Sequence, residues 1–292
     1  MILTDKVYLQ YENGAGVSVG LAPCSTYFLT ECNEDLANEI VNKKIQYLDG
    51  KTHISQTLSS RKIELIGYLN VSSGHERMVR YLQRAFNLKL DGRLTYRNRS
   101  RNTAYTIQCR VTDLPRVELV NGFTWFTVNL ECENPYWMGQ SRTERIAMLN
   151  KCGRFPLGIP KPERFIFGYR ANTLRSTFEN AGDADASVRF IIEAESGSVT
   201  NPEITLDGDT PKTIKVIRAF AKGERVELIN TPDKVSCIIN GGENGMKYLT
   251  DDSKREWFYL QTGENTISYN AEANAINMKV TAEFTPLYLG VY

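Results

Sequence analysis

The sequence is short of the residue types that carry most enzymatic and metal chemistry. Histidine occurs only at His53 and His75, which excludes a histidine-rich metal site, and a lone pair so far apart matches no zinc spacing. Cysteine occupies positions 24, 32, 109, 132, 152 and 237 with no CxxC pair, so zinc-ribbon and dithiol redox spacings are missing. No run of about 18 apolar residues exists, so no helical membrane span is expected. The start, Met1-Ile2-Leu3-Thr4-Asp5-Lys6, has no basic segment followed by an apolar stretch, and no signal peptide is expected. Net charge is almost nil, with 35 Lys and Arg against 34 Asp and Glu. Tight, sequence-independent nucleic-acid binding needs many uncompensated cations, so this balance argues against it.

What is there is an ordinary globular composition, 41% hydrophobic and 24% charged over 292 residues. That length is where a single core stops growing and two domains become the better solution. Cys109 lies in phase with Tyr105, Ile107 and Val111, and Cys237 with Val235 and Ile239. Both read as small core hydrophobes. Free thiols and folding in a cytoplasm are the expectation.

The stretch Leu130-Glu131-Cys132-Glu133-Asn134-Pro135-Tyr136-Trp137-Met138-Gly139 divides the chain. Ahead of it Phe126, Val128, Leu130 and Cys132 alternate with Trp125, Thr127, Asn129 and Glu131, the period of a strand with one face on a core. Pro135 removes a ladder donor and pushes Asn134 out of the helical region, so the strand stops there. Tyr136 and Trp137 are large and amphipathic, and are expected to pack at a junction. Residues 1–134 are read as one domain, 135–161 as a connection through polar, Gly and Pro positions, and 162–292 as a second domain.

Turn chemistry recurs at Asn13-Gly14, Asp49-Gly50, Asp91-Gly92, Asn121-Gly122, Asp207-Gly208, Asn240-Gly241 and Asn244-Gly245, pairs that tolerate the positive φ of tight hairpins. Between them lie short alternating runs at Lys43–Leu48, Arg61–Val71, Thr103–Val111, Val188–Ala194, Thr213–Ile217, Arg225–Ile229, Val235–Ile239 and Ile276–Phe284. This predicts a mainly β, largely antiparallel protein. One helix stands out: Ser73-Gly74-His75-Glu76 has the capping-box pattern, and Met78, Leu82 and Phe86, with Val79, share one face. Such a helix must lie across a sheet, giving a β-sandwich-like first domain with one amphipathic helix. Asn33–Val41 fits helix or strand. The second domain shows strand-like runs and no helix, which suggests a sandwich or jelly roll.

Motifs for catalysis are few. Gly16-Val17-Ser18-Val19-Gly20 matches a nucleophile elbow, but no strand of sufficient length precedes it, Pro23 obstructs a helix, and no histidine lies beyond His75. It reads as a glycine-rich hairpin. His75, in the first helical turn, reads as a surface imidazole. Asp183-Ala184-Asp185, Asp207-Gly208-Asp209 and Asp251-Asp252 lack calcium-loop spacing and read as turns. No pattern selects a pair of glycosidase carboxylates. No catalytic, cofactor-binding or metal-binding residue is assigned. Arg93, Arg97, Arg99 and Arg101, with Arg110 nearby, form the one charge concentration. Their odd spacing places them on one side or the tip of a hairpin, either solvated or facing an acidic partner or passing DNA. Trp257, Phe258, Tyr259 and Tyr269 suggest a sugar platform or core; Trp257 and Tyr259 share one strand face, and one such face must fill the core.

Several stretches in order resemble the distal tail (Dit) proteins of long, non-contractile-tailed bacteriophages (siphophages) of Gram-positive hosts. They are Arg61-Lys62-Ile63-Glu64-Leu65-Ile66-Gly67-Tyr68-Leu69 with the helix after it, Glu133-Asn134-Pro135-Tyr136-Trp137, Phe178-Glu179-Asn180-Ala181-Gly182-Asp183 and Asn201-Pro202-Glu203-Ile204. Phe258-Tyr259-Leu260-Gln261-Thr262-Gly263-Glu264-Asn265-Thr266-Ile267 and Pro286-Leu287-Tyr288-Leu289-Gly290-Val291 complete the series. The resemblance implies a non-enzymatic structural protein of the tail tip, or baseplate hub. Its first domain would build a homo-hexameric ring, and its second would be a galectin-like β-sandwich projecting outward. That ring would join the tail tube protein to the tail-associated (tail fibre) and receptor-binding proteins, with DNA passing through unspecifically and no membrane partner. The implied place is the virion tail tip, assembled in the bacterial host cytoplasm. Arg93, Arg97, Arg99 and Arg101 are candidates for the lumen wall or a subunit contact. The other reading is a carbohydrate-binding adhesin using the second domain.

Overall fold

The computed structural model describes residues 7–23, 25–44, 51–146, 149–150, 169–170, 174–231, 234–255 and 257–291. Expectations about Cys24, Cys152, the Asp49-Gly50 turn, residues 45–48 and residues 151–168 lie outside them. The protein is mainly β and divides into two compact units, Met1–Gln140 with Tyr288–Tyr292, and Ser141–Leu287.

In the first unit β1 (Val7–Asn13), β2 (Ser18–Leu21) and β3 (Tyr27–Asp35) precede an outlying pair, β4 (Asn38–Lys43) and β5 (Thr52–Leu58). The segment Asn33–Val41, open between helix and strand, is therefore strand on both sides of a short break. Then come β6 (Arg61–Leu69), α1 (His75–Ala85), β7 (Asp91–Asn98), β8 (Thr103–Val111), β9 (Arg116–Val120), β10 (Phe123–Cys132) and β11 (Trp137–Met138). The main sheet runs β8-β7-β1-β2-β3-β6-β10 and returns on itself where β10 pairs with β8 at Leu130↔Val111. Closure leaves β9 as an open edge beside β10. Inside, the alternation works as the sequence predicts: Phe126, Val128, Leu130 and Cys132 are buried with Leu9, Tyr11, Leu94 and Ile107. Each fully buried Leu or Phe contributes roughly 1.5–3 kcal/mol over exposure.

α1 lays Leu82, Ala85 and the following Phe86 on this core, and Phe86 stacks on Tyr11 with centroids 4.2 Å apart. Asn13 pins its end, donating from Nδ2 to the Ala85 carbonyl at 2.9 Å while its Oδ1 accepts from Val17 N–H at 3.0 Å. The expected capping box is not formed. The N-cap is Gly74 at φ 79, with no side-chain cap. Glycine takes this left-handed conformation at no steric cost, and it starts the helix one residue later than a Ser73 cap requires. His75 is not a free surface imidazole either, since its Nδ1 lies 3.0 Å from Thr124 Oγ1.

Asp91-Gly92 is also corrected, because both residues lie within β7. A Cβ at Gly92 would overlap the Tyr11 ring, so this glycine serves close packing, not a turn. True positive-φ turns occur at Asn121-Gly122 (φ 51 and 81) and Asn240-Gly241 (φ 47 and 78).

The tail of the chain is clasped to the first unit by a buried ion pair. Arg61 meets Glu34 with side chains only 3% and 5% exposed, donates from Nε to the Pro135 carbonyl at 2.7 Å, and from Nη2 to the Leu289 carbonyl at 2.6 Å. Trp137, fully buried, donates from Nε1 to Glu34 at 3.3 Å. Val291 joins the core, and Tyr288 packs edge-on against Tyr105.

The second unit holds β12 (Arg142–Arg145), β13 (Leu149–Asn150), β14 (Tyr169–Arg170), β15 (Arg175–Asn180), β16 (Val188–Ala194), β17 (Val199–Leu206), β18 (Lys212–Lys215) and β19 (Ala219–Phe220). It continues with β20 (Arg225–Thr231), β21 (Lys234–Ile239), β22 (Glu243–Asn244), β23 (Gly263–Ala273) and β24 (Met278–Phe284). A six-stranded sheet, β12-β24-β16-β20-β21-β22, shares one core with a second sheet, β15-β23-β17-β18 with β19 on β17. Phe190, Leu228 and Val280 from the first pack in the same cluster as Ile204, Ile267 and Phe178 from the other. That is a two-sheet sandwich.

Three local readings change here. A five-residue helix, α2 (Asp251–Arg255), appears where none was expected, and it takes Asp251 and Asp252 into its first turn, where carboxylates favour the dipole. Ile276 is 54% exposed in a single turn of 3-10 helix opened by Asn274 at φ 62, so the strand begins at Met278. Phe258 and Leu260 fill the core while Tyr259 is exposed. The core face is that of Phe258, with Trp257 packed partly buried against the same core; Phe258 and Tyr259 lie outside any ladder, and Leu260 makes only an isolated bridge to Ala186.

Two of the family-like stretches of this unit, Phe178–Asp183 and Phe258–Ile267, each hold a buried asparagine. Asn180 donates from Nδ2 to the carbonyls of Ala184 (3.0 Å) and Leu260 (3.1 Å). Asn265 bonds both ways with Gln261, accepting its N–H at 2.9 Å and donating to its carbonyl at 2.7 Å. Side-chain amides replace missing ladder bonds there, which buried backbone groups require.

Candidate interaction surface

The structure gathers the four arginines named from the sequence on one hairpin. Arg93 and Arg97 stand on the outer face of β7, two positions apart in side-chain phase, and both are exposed. Arg99 and Arg101 lie in the β7–β8 turn, which Asn98 braces by accepting Ser100 N–H at 3.0 Å and Arg101 N–H at 3.3 Å on its Oδ1. Arg93 pairs with Glu12 at 3.1 Å, and the Arg99 guanidinium lies 6.0 Å from the Tyr8 ring centroid. Arg110 points elsewhere in function: it bridges Asp91 at 2.6 Å and Glu133 at 2.7 Å, which raises its pKa, chiefly through the Asp91 hydrogen bond. Exposed pairs of this kind contribute little to stability.

Sequence reasoning missed a second kind of surface on the same unit. β4 and β5 pair only with each other, and their residues are exposed along nearly the whole length. Ile40, Val41 and Ile54 are 54%, 52% and 58% exposed on this ribbon. At the open edge, Leu119 is 76% exposed, with Val120 and Phe123, which pair with each other across the β9–β10 turn, exposed nearby. The signal was present in the adjacent pairs Ile40-Val41 and Leu119-Val120, which interrupt alternation and sit next to polar or turn residues.

The second unit is more self-contained. Arg218 contacts Glu243 at 2.8 Å and Glu224 at 3.3 Å and stacks near Tyr248 and Phe220. Glu243 is held below the usual carboxylate range, first by Arg218, and Glu224 likewise, first by the Ala221 N–H. Arg189 bridges Glu227 at 2.6 Å and Glu283 at 3.0 Å across three strands. Among the described residues Tyr259 is the one large aromatic of this unit that is exposed, and Tyr269 is core.

Catalytic features do not assemble among the described residues. Ser18 of the GxSxG pattern opens β2 after a turn at Gly16 (φ 77), and its carbonyl accepts from Tyr81 Oη. Among the described residues no three His, Cys, Asp or Glu side chains cluster as a metal site would, and no helix is long and apolar enough to cross a membrane. Cys32, Cys109, Cys132 and Cys237 are buried free thiols. Burial pushes Cys32 up to about 12 and Cys237 up to about 11, which keeps both protonated.

Comparison with known proteins then places this architecture. Residues 181–288 match the family model described as the siphovirus-type tail component, C-terminal domain. The crystal structure of the Dit protein of phage SPP1 is similar over 96% of this chain and 99% of that one, at 18% identity and a TM-score of 0.70. It is described as a paradigm of the hub adsorption apparatus in phages infecting Gram-positive hosts. A chain of the phage P2 baseplate in its activated conformation aligns at 10% identity with a TM-score of 0.47, covering 98% of this chain and 99% of that one. No curated protein sequence matches. Residues 181–288 are thus similar to the siphovirus-type tail component C-terminal domain, and the chain shares the fold of the SPP1 Dit protein.

Proposed function

We propose that this protein is a structural, non-catalytic component of a siphophage tail tip. It forms a homo-hexameric ring that joins the tail tube protein to the tail-associated and receptor-binding proteins. The observation that carries this reading is the end-to-end fold likeness to the SPP1 Dit protein, with the family match over residues 181–288 in support. The distribution of surface fits. A closed ring of identical subunits needs two unlike faces per subunit, and the first unit exposes apolar residues on two separate elements. The β7–β8 arginines, cationic and exposed, suit either the wall of a lumen that DNA traverses or a neighbouring subunit. The virion tail tip is the corresponding location.

The test is the mass of the purified chain by light scattering on a sizing column, with negative-stain images of the peak. Six copies of the 33.1 kDa subunit seen as a ring with a central hole are expected. A monomer that binds a glycan specifically would overturn the reading in favour of an adhesin.

A further inference from the structure

A two-stranded ribbon with no core beneath it is marginal in water. Among the described residues β4 and β5 form such a ribbon. Ile40 and Val41 are consecutive, so they project from opposite faces, and no single face of the ribbon can shelter its apolar residues. β9 has the complementary deficiency. Among the described residues it is bonded to β10 on one side only, which leaves its outer backbone groups open, and Leu119 and Val120 end the strand exposed. Proteins usually blunt such an edge with charge, proline or a bulge. Pro115, Arg116 and Glu118 do so at one end, while the other end is left apolar.

We propose that the β4–β5 hairpin of one copy packs on the β9 edge and β9–β10 turn of a second copy, the hairpin adding strand to the open edge. The inference rests on the ring reading and specifies its contact. Strand addition gives the edge the backbone partners it lacks, while apolar side chains meet on the flanks. Charge agrees in sign. The hairpin carries Lys43, Lys44 and Lys51 against Glu39 and Asp49, a net of about +1, whereas the edge carries Asp113 and Glu118 against Arg116, a net of about −1. The two surfaces are unlike, so the contact is head-to-tail and each copy uses both, as closure requires.

The experiment is oxidative cross-linking of the full chain with Ile54→Cys and Leu119→Cys combined, the unaltered chain under the same oxidant giving the background. Both positions are exposed, so melting should stay within a degree or two of the parent, which confirms folding. The expected result is a ladder of cross-linked species rising to the mass of the assembly, with each single variant failing to give it. An assembly of the expected mass that yields no ladder would overturn the hairpin–edge contact and leave the ring reading standing. Self-linking of Ile54→Cys alone as the main product would replace it with a symmetric contact. A monomer at every concentration, without a ladder, would overturn both.

Discussion

The two units close their surfaces to different degrees. The second seals its core between two sheets and shows apolar residues singly, at Ile217, Val235, Tyr259 and Ile276 on separate elements. Isolated exposed apolar side chains are normal and need no partner. The first unit buries an equally continuous core, yet also carries Ile40, Val41 and Ile54 on an unsupported ribbon and Leu119, Val120 and Phe123 at an open edge. Clustered exposure of that kind marks surfaces made to be covered. On the proposed reading the first unit is the assembling part, and the second stands in solvent.

Separate cores give the strongest way to break this comparison. Phe126→Ala and Phe190→Ala each remove a buried ring, at a cost of about 3–5 kcal/mol. Calorimetry should show each lowering the transition of its own unit and sparing the other. Equal effects on a single joint transition would contradict independent cores. Arg61→Ala should also destabilise the first unit by about 3–5 kcal/mol, because Glu34 is left buried and unpaired. It should in addition release residues 288–291 to carboxypeptidase, and an unchanged digestion rate would show that the clasp is not what holds them. Gly67→Ala comes next. An added Cβ would overlap the Phe28 carbonyl and the Phe126 ring, so about 1–3 kcal/mol is expected from overpacking.

The smallest effect concerns pH. Glu243 has a folded pKa below its ordinary value of 4.5, so its contribution is present above that value and fades as pH falls through the lowered folded pKa. Glu243→Gln should lower the second unit's melting temperature slightly at pH 7 and change little at pH 3, so that the acid limb is flattened. A variant that loses stability equally at pH 7 and pH 3 would count against this origin.

Much of the strand pattern was legible because a period of two is a local signature. β8 over Thr103–Val111 and β16 over Val188–Ala194 have the bounds read from alternation alone. Where the reading failed, a non-local contact decided. Asp91-Gly92 has turn chemistry, but the glycine is required by the Tyr11 ring across the sheet. Ser73 and Glu76 spell a capping box that the backbone of Gly74 forestalls. The alternation of Ile276 with Met278 continues past a turn that Asn274 imposes. Closure of the first sheet through Leu130↔Val111, and the return of Tyr288 and Val291 to its core, depend on pairings between distant positions that leave no periodic trace. The arginine hairpin was legible as a charge cluster. The apolar ribbon was not, because exposure depends on what fails to pack against it.

The central claim, that the first unit's exposed apolar residues exist for assembly and not for folding, is tested most directly by one measurement. Light-scattering mass and melting temperature are compared between the parent chain and an Ile40→Asp/Ile54→Asp variant at equal concentration. The account predicts a fall from the ring to the 33.1 kDa monomer with the melting transition of the isolated subunit kept. An unchanged assembly mass in the folded variant would contradict it.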